Sequence, residues 1–397
     1  MELFREKFYR KLSKVSLKFK RSLLNTIHWE NRMIGIRGAR GVGKTTLILQ
    51  YIKETLALNE TVIYVSLDDI FFTSNSLSEY VDDFVKKGGK YLFIDEVHKY
   101  KNWSIELKNI YDNYDELKIV FTGSSILPLI ESKADLSRRA VMYDMQGLSF
   151  REFLNVTHKL DFETVSLSDV LANHLELSMM INKKIKPILE VEKYNQKGYY
   201  PYFLESNRDY LLLLAETINQ TLEADIPIYL DLNVESIEKM KKLLFIIATS
   251  VPFKPNISKL SERVGVARNT LKMMFHYLEK ANIINLLFAG TKGISKLQKP
   301  EKVYLHHPNL MHALSPTQIN MGTLRETFFQ NQIQNLFSVE YTNTGDFLID
   351  NKYTFEIGGK NKTDKQIKDI PDSYIAADNI EYGEGNKIPL FLFGFLY

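Results

Sequence analysis

The sequence predicts an α/β fold built on a parallel sheet, and three observations lead to this prediction. Short apolar segments of strand length alternate with segments of helical length over the first 157 residues. A glycine-rich loop joins the first of these strands to the helix that follows it, and a later apolar strand ends in two carboxylates. Strands that alternate with helices are typical of a parallel sheet covered by helices.

Composition limits the possible classes of protein. The chain has 397 residues, 45% hydrophobic and 25% charged, which predicts two to four globular domains. A formal charge of +3 neither requires nor excludes a nucleic-acid partner. The absence of cysteine excludes disulfides, thiolate metal sites and thiol nucleophiles. The longest apolar runs are shorter than the ~20 residues that cross a bilayer, so we expect a cytoplasmic protein without membrane contact.

The N-terminal segment from Met1 to Ser22 is basic and amphipathic, and it lacks the uninterrupted apolar core of a secretory signal. We therefore expect a helix packed on the domain that follows. Its apolar residues on roughly one face are Leu3, Phe4, Phe8, Leu12, Val15 and Phe19.

A Walker A motif follows. The strand Met33 to Ile36 leads through the glycine-rich loop into a helix from Thr46 to Leu58, which is the order that this motif requires. The glycines let backbone N–H groups surround phosphate oxygens at a helix N-terminus. Lys44 would reach the β- and γ-phosphates, and the Thr45 hydroxyl would bind Mg²⁺. The candidate residues for binding ATP are Gly38, Ala39, Arg40, Gly41, Val42, Gly43, Lys44, Thr45 and Thr46.

The strand Lys90 to Glu96 has the pattern of a Walker B motif. Asp95 would hold the metal through its water shell, and Glu96 would polarise the attacking water. A further strand, Thr61 to Leu67, lies between the two motifs. An added strand and a Glu beside the Walker B Asp mark the branch of P-loop ATPases that hydrolyse with an extra carboxylate.

Two later segments supply candidates for contact with the γ-phosphate. The strand Leu117 to Thr122 is followed by Gly123-Ser124-Ser125, so Ser124 or Thr122 could sense the phosphate at the carboxyl end of the sheet. Arg138 and Arg139 precede a strand from Ala140 to Met145. Their guanidinium groups could stabilise the transferring phosphoryl group, in cis or from a neighbouring subunit, or be solvated in a loop.

The chain resembles bacterial and archaeal AAA+ ATPases whose C-terminal part is a domain of unknown function. The blocks that carry the resemblance are Ile36 to Thr46, Phe93-Ile94-Asp95-Glu96-Val97-His98, Phe121 to Ser125 and Leu148-Ser149-Phe150-Arg151-Glu152-Phe153. The resemblance implies ATP binding with Mg²⁺, ATP hydrolysis and a helical lid after the ATPase core. It places Arg139 at the position of the arginine finger, with Arg138 where the family usually has Gly. The segment Gly198-Tyr199-Tyr200-Pro201 looks like the family's turn between lid helices.

The segment from Ile257 to Ile284 predicts a helix-turn-helix, with Ser258 as the first cap and Gly265 in the turn. A β-hairpin from Leu286 to Leu305 would complete a winged helix. Its side chains would then face DNA, or the module would serve only packing or protein docking. The residues predicted to meet DNA are Arg268, Asn269, Thr270 and Lys272 on the second helix and Lys292, Lys296, Lys299 and Lys302 on the wing.

Near the C-terminus, two predicted strands carry Asp346 and Glu356, which resembles the metal-binding core of PD-(D/E)XK nucleases. Gly358 stands where such nucleases have their lysine, and Lys360 or Lys362 would have to reach back. We therefore favour a nuclease-like fold that is used for docking without catalysis.

These observations predict a P-loop NTPase core of the AAA+ kind at residues 1–157, a helical lid at 158–232, a winged helix at 233–312 and a small α+β nuclease-like domain at 313–397. The predicted function is an intracellular ATPase that uses Mg-ATP to switch its domain arrangement, with Lys44, Glu96, Ser124 and Arg139 in the catalytic set and Thr45 and Asp95 on the metal. The possible partners are double-stranded DNA, another protein and further copies of the chain. Two alternatives are an ATP-conditioned DNA-binding regulator with little turnover and an ATP-gated, metal-dependent nuclease. His98 is assigned no role.

Overall fold

The structure, a computed structural model, describes residues 2–126, 136, 138–206, 208–227, 233–249, 254–290, 299–317 and 319–397. The chain divides into two compact units, Met1–Gly147 and Leu148–Tyr397. The domain boundaries predicted at residues 157, 232 and 312 stay predictions.

A five-stranded sheet organises the first unit. Its strands are β1 (Met33–Gly38), β2 (Val62–Ser66), β3 (Tyr91–Asp95), β4 (Lys118–Ser124) and β5 (Val141–Asp144). They lie in the order β2-β3-β4-β1-β5, and every neighbouring pair is parallel. The predicted α/β class with a parallel sheet is confirmed. In this order β4 separates the strand that leads into the glycine-rich loop from the strand that ends in Asp95.

The helices of the first unit are α1 (Glu2–Lys14), α2 (Leu23–Thr26), α3 (Lys44–Thr55), α4 (Leu77–Lys86) and α5 (Trp103–Asn113). As predicted, α1 packs on the sheet, where it contacts β2 and α3. Phe4, Phe8 and Leu12 are buried, and the Phe8 ring stacks on Tyr64 at a centroid distance of 6.2 Å. Leu3 is 59% exposed, so the predicted apolar face is narrower than the sequence pattern indicated.

Helices form the first part of the second unit. They are α6 (Phe150–His158), α7 (Leu167–Asn182), α8 (Pro187–Lys197), α9 (Tyr210–Gln220) and α10 (Val234–Thr249). A capping box between Ser149 and Glu152 fixes the start of α6. Gly198 follows α8, where a Cβ would lie 2.7 Å from the Cα of Tyr194, so only glycine lets the chain turn there.

Two further helices and a strand pair come next, namely α11 (Ile257–Val264), α12 (Arg268–Lys280), β6 (Ile284–Leu287) and β7 (Lys302–Leu305). Gly265 makes the turn with a φ of 80°, and β6 pairs antiparallel with β7. Asn256 caps α11 by accepting from the Lys259 N–H, so the prediction of Ser258 as the cap was wrong. The helix begins one residue before Ser258, and a cap must precede the first turn.

The structure agrees with the strand pair of the predicted wing and contradicts one of its predicted DNA contacts. The pairing of β6 with β7 supplies the expected antiparallel strands, whereas Lys292 and Lys296 lie outside the described residues. Lys302 was predicted to follow phosphates, and this is wrong, because it is 7% exposed and pairs with carboxylates inside the second unit. The assignment to a winged helix stays a prediction.

A mixed sheet closes the second unit. Its elements are α13 (Pro308–Leu314), α14 (Met321–Ile333), β8 (Val339–Glu340), β9 (Phe347–Ile349), β10 (Tyr353–Gly358), β11 (Ser373–Ala377) and β12 (Lys387–Pro389). The order is β12-β11-β10-β9-β8, with β10, β11 and β12 mutually parallel and β8 to β10 antiparallel. Helix α14 packs on β10, where the rings of Phe329 and Phe355 lie 5.0 Å apart.

In the part of the chain that the structure describes, we find no helix that combines the length and the apolar character needed to span a bilayer.

Candidate nucleotide-binding site

The glycine-rich loop has the backbone geometry of a phosphate cradle. It leaves β1 at Gly38 and enters α3 at Lys44, and Gly41 and Gly43 have φ values of 83° and 99°, which favour glycine. A Cβ at Gly38 would lie 2.3 Å from the Met145 carbonyl oxygen, so a side chain there would push the loop out of place. Because the loop ends at a helix N-terminus, its N–H groups and the helix dipole favour an anion.

The side chains of the loop divide into buried and exposed ones. Lys44 is 6% exposed, and its Nζ donates to the carbonyl oxygens of Gly38 at 2.9 Å and Ala39 at 3.0 Å. The lysine therefore lies along the inside of the loop. The side chains of Ala39 and Val42 are buried as well. The side chains of Arg40 and Thr46 face solvent.

Asp95 lies at the centre of a cluster of hydroxyl groups. It is 2% exposed, and its Oδ2 accepts from the Thr45 hydroxyl at 2.6 Å and from the Tyr64 hydroxyl at 2.7 Å. The Thr122 hydroxyl donates to its other oxygen, Oδ1. Burial and the charge of Asp95 together raise the pKa of Tyr64 well above its usual range, so Tyr64 remains a donor. The structure thus joins the end of β3 to the first turn of α3.

Glu96 leaves the sheet through an unusual backbone conformation. Its φ of 55° is left-handed, which costs a residue with a side chain about 1–2 kcal/mol. Its N–H donates to the Thr122 hydroxyl at 3.2 Å, and its carboxylate Oε2 lies 3.2 Å from His98 Nε2. The strained turn thus joins the Glu96 backbone to Thr122 of the Asp95 cluster and its carboxylate to His98.

His98 is a site residue that sequence reasoning missed. It is 3% exposed, and its Nδ1 accepts from the Ser124 N–H at 3.2 Å. A neutral ring that accepts at Nδ1 carries its hydrogen at Nε2, which points it at Glu96. His98 therefore connects Glu96 with the end of β4. The motif position beside Asp95 and Glu96 was the available signal, but a lone histidine there has no pattern that indicates a contact.

The two candidate sensors have different environments. Thr122 contacts both Asp95 and the Glu96 backbone, whereas the Ser124 hydroxyl accepts from the Ile126 N–H at 3.4 Å. Ser124 meets the site through its backbone and His98. Both residues lie at the carboxyl end of β4, as predicted.

The structure does not bring Arg139 to the other site residues. Arg139 comes before Val141, which pairs with Ile34, so it lies at the amino end of the sheet. Gly38 lies on the neighbouring strand β1, four residues beyond Ile34, which corresponds to about 13 Å along the strand. The Arg139 guanidinium makes a two-pronged ion pair with Asp112, with N–O distances of 2.8 and 2.9 Å. This pair lowers the pKa of Asp112. Arg138 is exposed.

Arg21 is the second site residue that the sequence did not reveal. It is 7% exposed, and one terminal nitrogen donates to the Val42 carbonyl at 2.9 Å. The other donates to the carbonyls of Gln146 at 2.8 Å and Gly147 at 2.7 Å. Arg21 thus ties the phosphate loop to the last two residues of the first unit. These partners are up to 126 residues away in sequence, and no local pattern indicates them.

The residues present fit Mg-ATP. The glycine positions form a cradle that a Cβ would fill, a buried lysine lies within it, and a hydroxyl and a carboxylate stand together at its helical end. Oxygen ligands of this kind suit Mg²⁺, which keeps several waters and takes few protein ligands.

The second unit holds the carboxylates that resembled a nuclease site. The Lys302 ammonium donates to Glu326 and to Asp346, in each case at 3.0 Å. Although burial alone would lower the pKa of Lys302, the charges of Glu326 and Asp346 raise it. Glu356 pairs with Lys362, and burial raises its pKa against the opposing effect of that lysine. Lys360 is exposed.

Lysines therefore occupy the positions beside these carboxylates. Among the described residues, no group of three or more His, Cys, Asp and Glu side chains is arranged to hold a metal ion. The arrangement does not support a metal-dependent nuclease at Asp346 and Glu356.

Comparisons with known proteins match parts of the chain. Residues 30–154 match the family described as AAA domain, and residues 188–321 match a family described as a domain of unknown function, DUF8612. The first match and the parallel sheet show an AAA-type P-loop domain, which confirms that part of the resemblance. The matches give no support to a winged helix or a nuclease-like domain.

One curated relative is the uncharacterized protein MJ1637 of Methanocaldococcus jannaschii, which is 27% identical over 288 residues. The match covers 69% of this chain and 60% of the relative, so the chain spans less than two thirds of that protein's length.

Solved structures give weak likenesses. AMPPCP-bound DnaA from Aquifex aeolicus is 17% identical, with a TM-score of 0.26, and the match covers 70% of this chain and 88% of that one. The S. cerevisiae Hsp104-ADP complex is 16% identical, with a TM-score of 0.32 and coverages of 70% and 41%. A point mutant of Thermotoga maritima RuvB is 16% identical, with a TM-score of 0.25 and coverages of 72% and 89%.

Proposed function

We propose that this chain binds Mg-ATP at the glycine-rich loop, hydrolyses it, and uses the change of nucleotide state to alter the arrangement of its domains. The observation that carries the proposal is the Asp95 cluster. The buried Asp95 carboxylate accepts hydrogen bonds from the hydroxyl groups of Thr45 and Thr122. Glu96 follows Asp95 directly, at the carboxyl end of a parallel sheet. The match of residues 30–154 to the AAA domain supports the same function.

Each residue has a role that its position suits. Lys44 would release its loop carbonyls and bind the β- and γ-phosphates, while Thr45 and Asp95 would hold Mg²⁺. Mg²⁺ bound there would neutralise phosphate charge. Glu96 would accept the proton of the attacking water, and His98 would hold its carboxylate in place. Thr122 and Ser124 would report the presence of the γ-phosphate through β4.

Arg139 would act on the site of another copy. Because it lies at the amino end of its own sheet, it would have to reach the phosphates of a neighbouring subunit. The Asp112 pair would hold it at the surface until the subunits meet. Turnover should then rise with protein concentration, and Arg139→Ala should lower it by roughly 10³-fold or more. Arg138→Ala is the matched control.

The switch would work through Arg21. A movement of the loop at Val42 would pass through one guanidinium group to Gln146 and Gly147, where the first unit ends. Nucleotide binding energy could in this way change the path of the chain into the second unit.

The test is steady-state ATP turnover together with ATP affinity. Glu96→Gln should abolish turnover and keep ATP binding, whereas Lys44→Ala should lose both. Glu116→Gln, an exposed carboxylate in the same unit, should behave like the parent protein. Unchanged turnover in both Lys44→Ala and Glu96→Gln would show that this site does not hydrolyse ATP.

A second candidate function is DNA binding at the start of α12. Arg268, Asn269 and Thr270 are exposed in the first turn of this helix, which follows the Gly265 turn. Turnover should be measured with and without double-stranded DNA at low salt. Stimulation that Arg268→Gln removes would support coupling to DNA. ATP binding without turnover would favour a DNA-binding regulator that ATP conditions, and turnover that ignores DNA would favour a protein partner.

A further inference from the structure

A polar cleft lies at the carboxyl end of the second sheet. Strands β10 and β11 are parallel, so the loops that follow them meet at one edge. The cleft there has a volume of about 780 Å³. It is lined by Arg325, Gly359, Lys360, Asn361, Lys362 and Asn379.

The wall of the cleft is held in shape by interactions that also bring positive charge to it. Arg325 donates from Nε to Asp378 at 2.8 Å. Both terminal nitrogens of Arg325 lie 3.4 Å from the position that a Cβ at Gly359 would take, so glycine lets the loop backbone approach the guanidinium group. Lys387 Nζ donates to the carbonyls of Lys360 at 2.5 Å and Lys362 at 3.3 Å, which holds the loop against β12.

Charge around the cleft is unbalanced. Three of the lining residues are cationic, and two of them, Arg325 and Lys362, pair with the carboxylates Asp378 and Glu356. The third, Lys360, is exposed, so one positive charge remains in excess among these groups. Arginine, lysine and asparagine amides are the side chains that most often donate to phosphate oxygens.

The lining also limits what kind of phosphate compound fits. Its six residues include no aromatic and no aliphatic side chain, so the cleft lacks the apolar walls that usually enclose a base. The cleft is also open to solvent, whereas small-molecule sites enclose most of their ligand. A chain of phosphates that runs along the cleft suits this shape better than a single nucleotide.

Cleavage of such a chain is not expected. The nearby carboxylates Asp346 and Glu356 are engaged by Lys302 and Lys362, which take the positions beside them that a metal would need. We propose that this cleft binds the phosphodiester backbone of a nucleic acid, without regard to base sequence and without cleaving it. This site is separate from the start of α12, and the proposal does not depend on ATP hydrolysis.

The test is binding of labelled DNA to the full chain without ATP, measured by fluorescence anisotropy between about 50 and 200 mM salt. Lys360→Gln should weaken binding to a duplex about tenfold near 0.1 M salt and reduce the salt slope by about one, since one phosphate contact is lost. Lys352→Gln changes an exposed lysine at the opposite end of β10 and should have no effect. Two duplexes of unrelated sequence should bind equally, and the DNA should stay intact with Mn²⁺.

Several outcomes would overturn the proposal. These are absence of DNA binding by the parent protein, equal losses in Lys360→Gln and Lys352→Gln, or a loss confined to Arg268→Gln. Displacement of DNA by equimolar inorganic phosphate or ATP would instead show a site for small anions. ATP turnover of Lys360→Gln, measured separately, should equal that of the parent, so a failure here is distinguishable from a failure of the proposed ATPase.

Discussion

His98 is a buried ring that contacts Glu96, the carboxylate that we propose as the catalytic base. Its Nδ1 is committed to the Ser124 N–H, which leaves Nε2 to donate to Glu96. We expect His98→Ala to lower ATP turnover about 10-fold or more, as the loss of an orienting partner does elsewhere, with little change in ATP affinity. His98→Gln, which can still donate to Glu96, should recover part of the turnover. Equal turnover in His98→Ala and the parent protein would contradict this role.

A second histidine predicts how stability depends on pH. His306 is buried, its Nδ1 donates to Asn285 Oδ1, and its Nε2 accepts from the Tyr199 hydroxyl. Burial lowers its pKa to about 4. In the unfolded chain His306 takes up a proton below about pH 6.5, whereas in the folded chain it does so only near pH 4. The contribution of His306 to stability is therefore fully present above pH 6.5 and is lost as the pH falls from 6.5 to about 4.

Urea unfolding at pH 7 and pH 5 measures this effect. Between these values the free energy of unfolding should fall by about 2 kcal/mol from His306 alone. The pKa of His307 is also lowered by burial, which adds to the fall. His306→Gln should remove the His306 part of this fall and leave the His307 part, and His28→Asn, a change at an exposed histidine, should leave the whole fall intact.

At the scale of elements, an ion cluster joins β7 to α14 and β9. Lys302 on β7 holds Glu326 on α14 and Asp346 at the start of β9, and all three are largely buried. Lys302→Met should lower the free energy of unfolding by about 3–5 kcal/mol at pH 7, because two buried carboxylates lose their partner. Lys352→Met should change it little.

The pH dependence of this variant provides a check. Without the ammonium, the two buried carboxylate charges repel each other, and this repulsion weakens in acid, where carboxylates take up protons. Its deficit relative to the parent should therefore shrink between pH 7 and pH 5 in urea unfolding. A deficit that is the same at both pH values would indicate lost packing only.

The elements of the first unit were largely predictable from the sequence. The strands, the loop and the Walker residues follow from hydrophobic patterns and short motifs, which are local. The contacts of Arg21, His98 and Lys302 are not local, because their partners lie 21 to 126 residues away or depend on a strained turn. The burial of Lys302 in particular contradicts the prediction that it would follow DNA phosphates from the wing.

At the scale of the whole molecule, Arg21 predicts a link between nucleotide state and the border of the two units. Arg21→Met should weaken the response to ATP more than it weakens ATP binding, since methionine fills the space without the three hydrogen bonds. Limited proteolysis with and without ATP, read at cleavage sites after Gly147, measures that response. Lys20→Met, a neighbouring exposed lysine, is the control. An unchanged ATP-dependent pattern in Arg21→Met would contradict the link.

The order of strands in the first sheet has a consequence for synthesis of the chain. Among the described strands, β1 pairs with β4 and β5, although β2 and β3 are made before either of them. Gly38 ends β1 and Ser124 ends β4, a difference of 86 residues, which takes a ribosome roughly 4–17 s at usual rates. During that time the loop strand has no partner in its own sheet. We therefore expect a nascent chain that ends before β4 is complete to lack a formed phosphate loop. ATP could begin to stabilise the first unit only after β4 has been made.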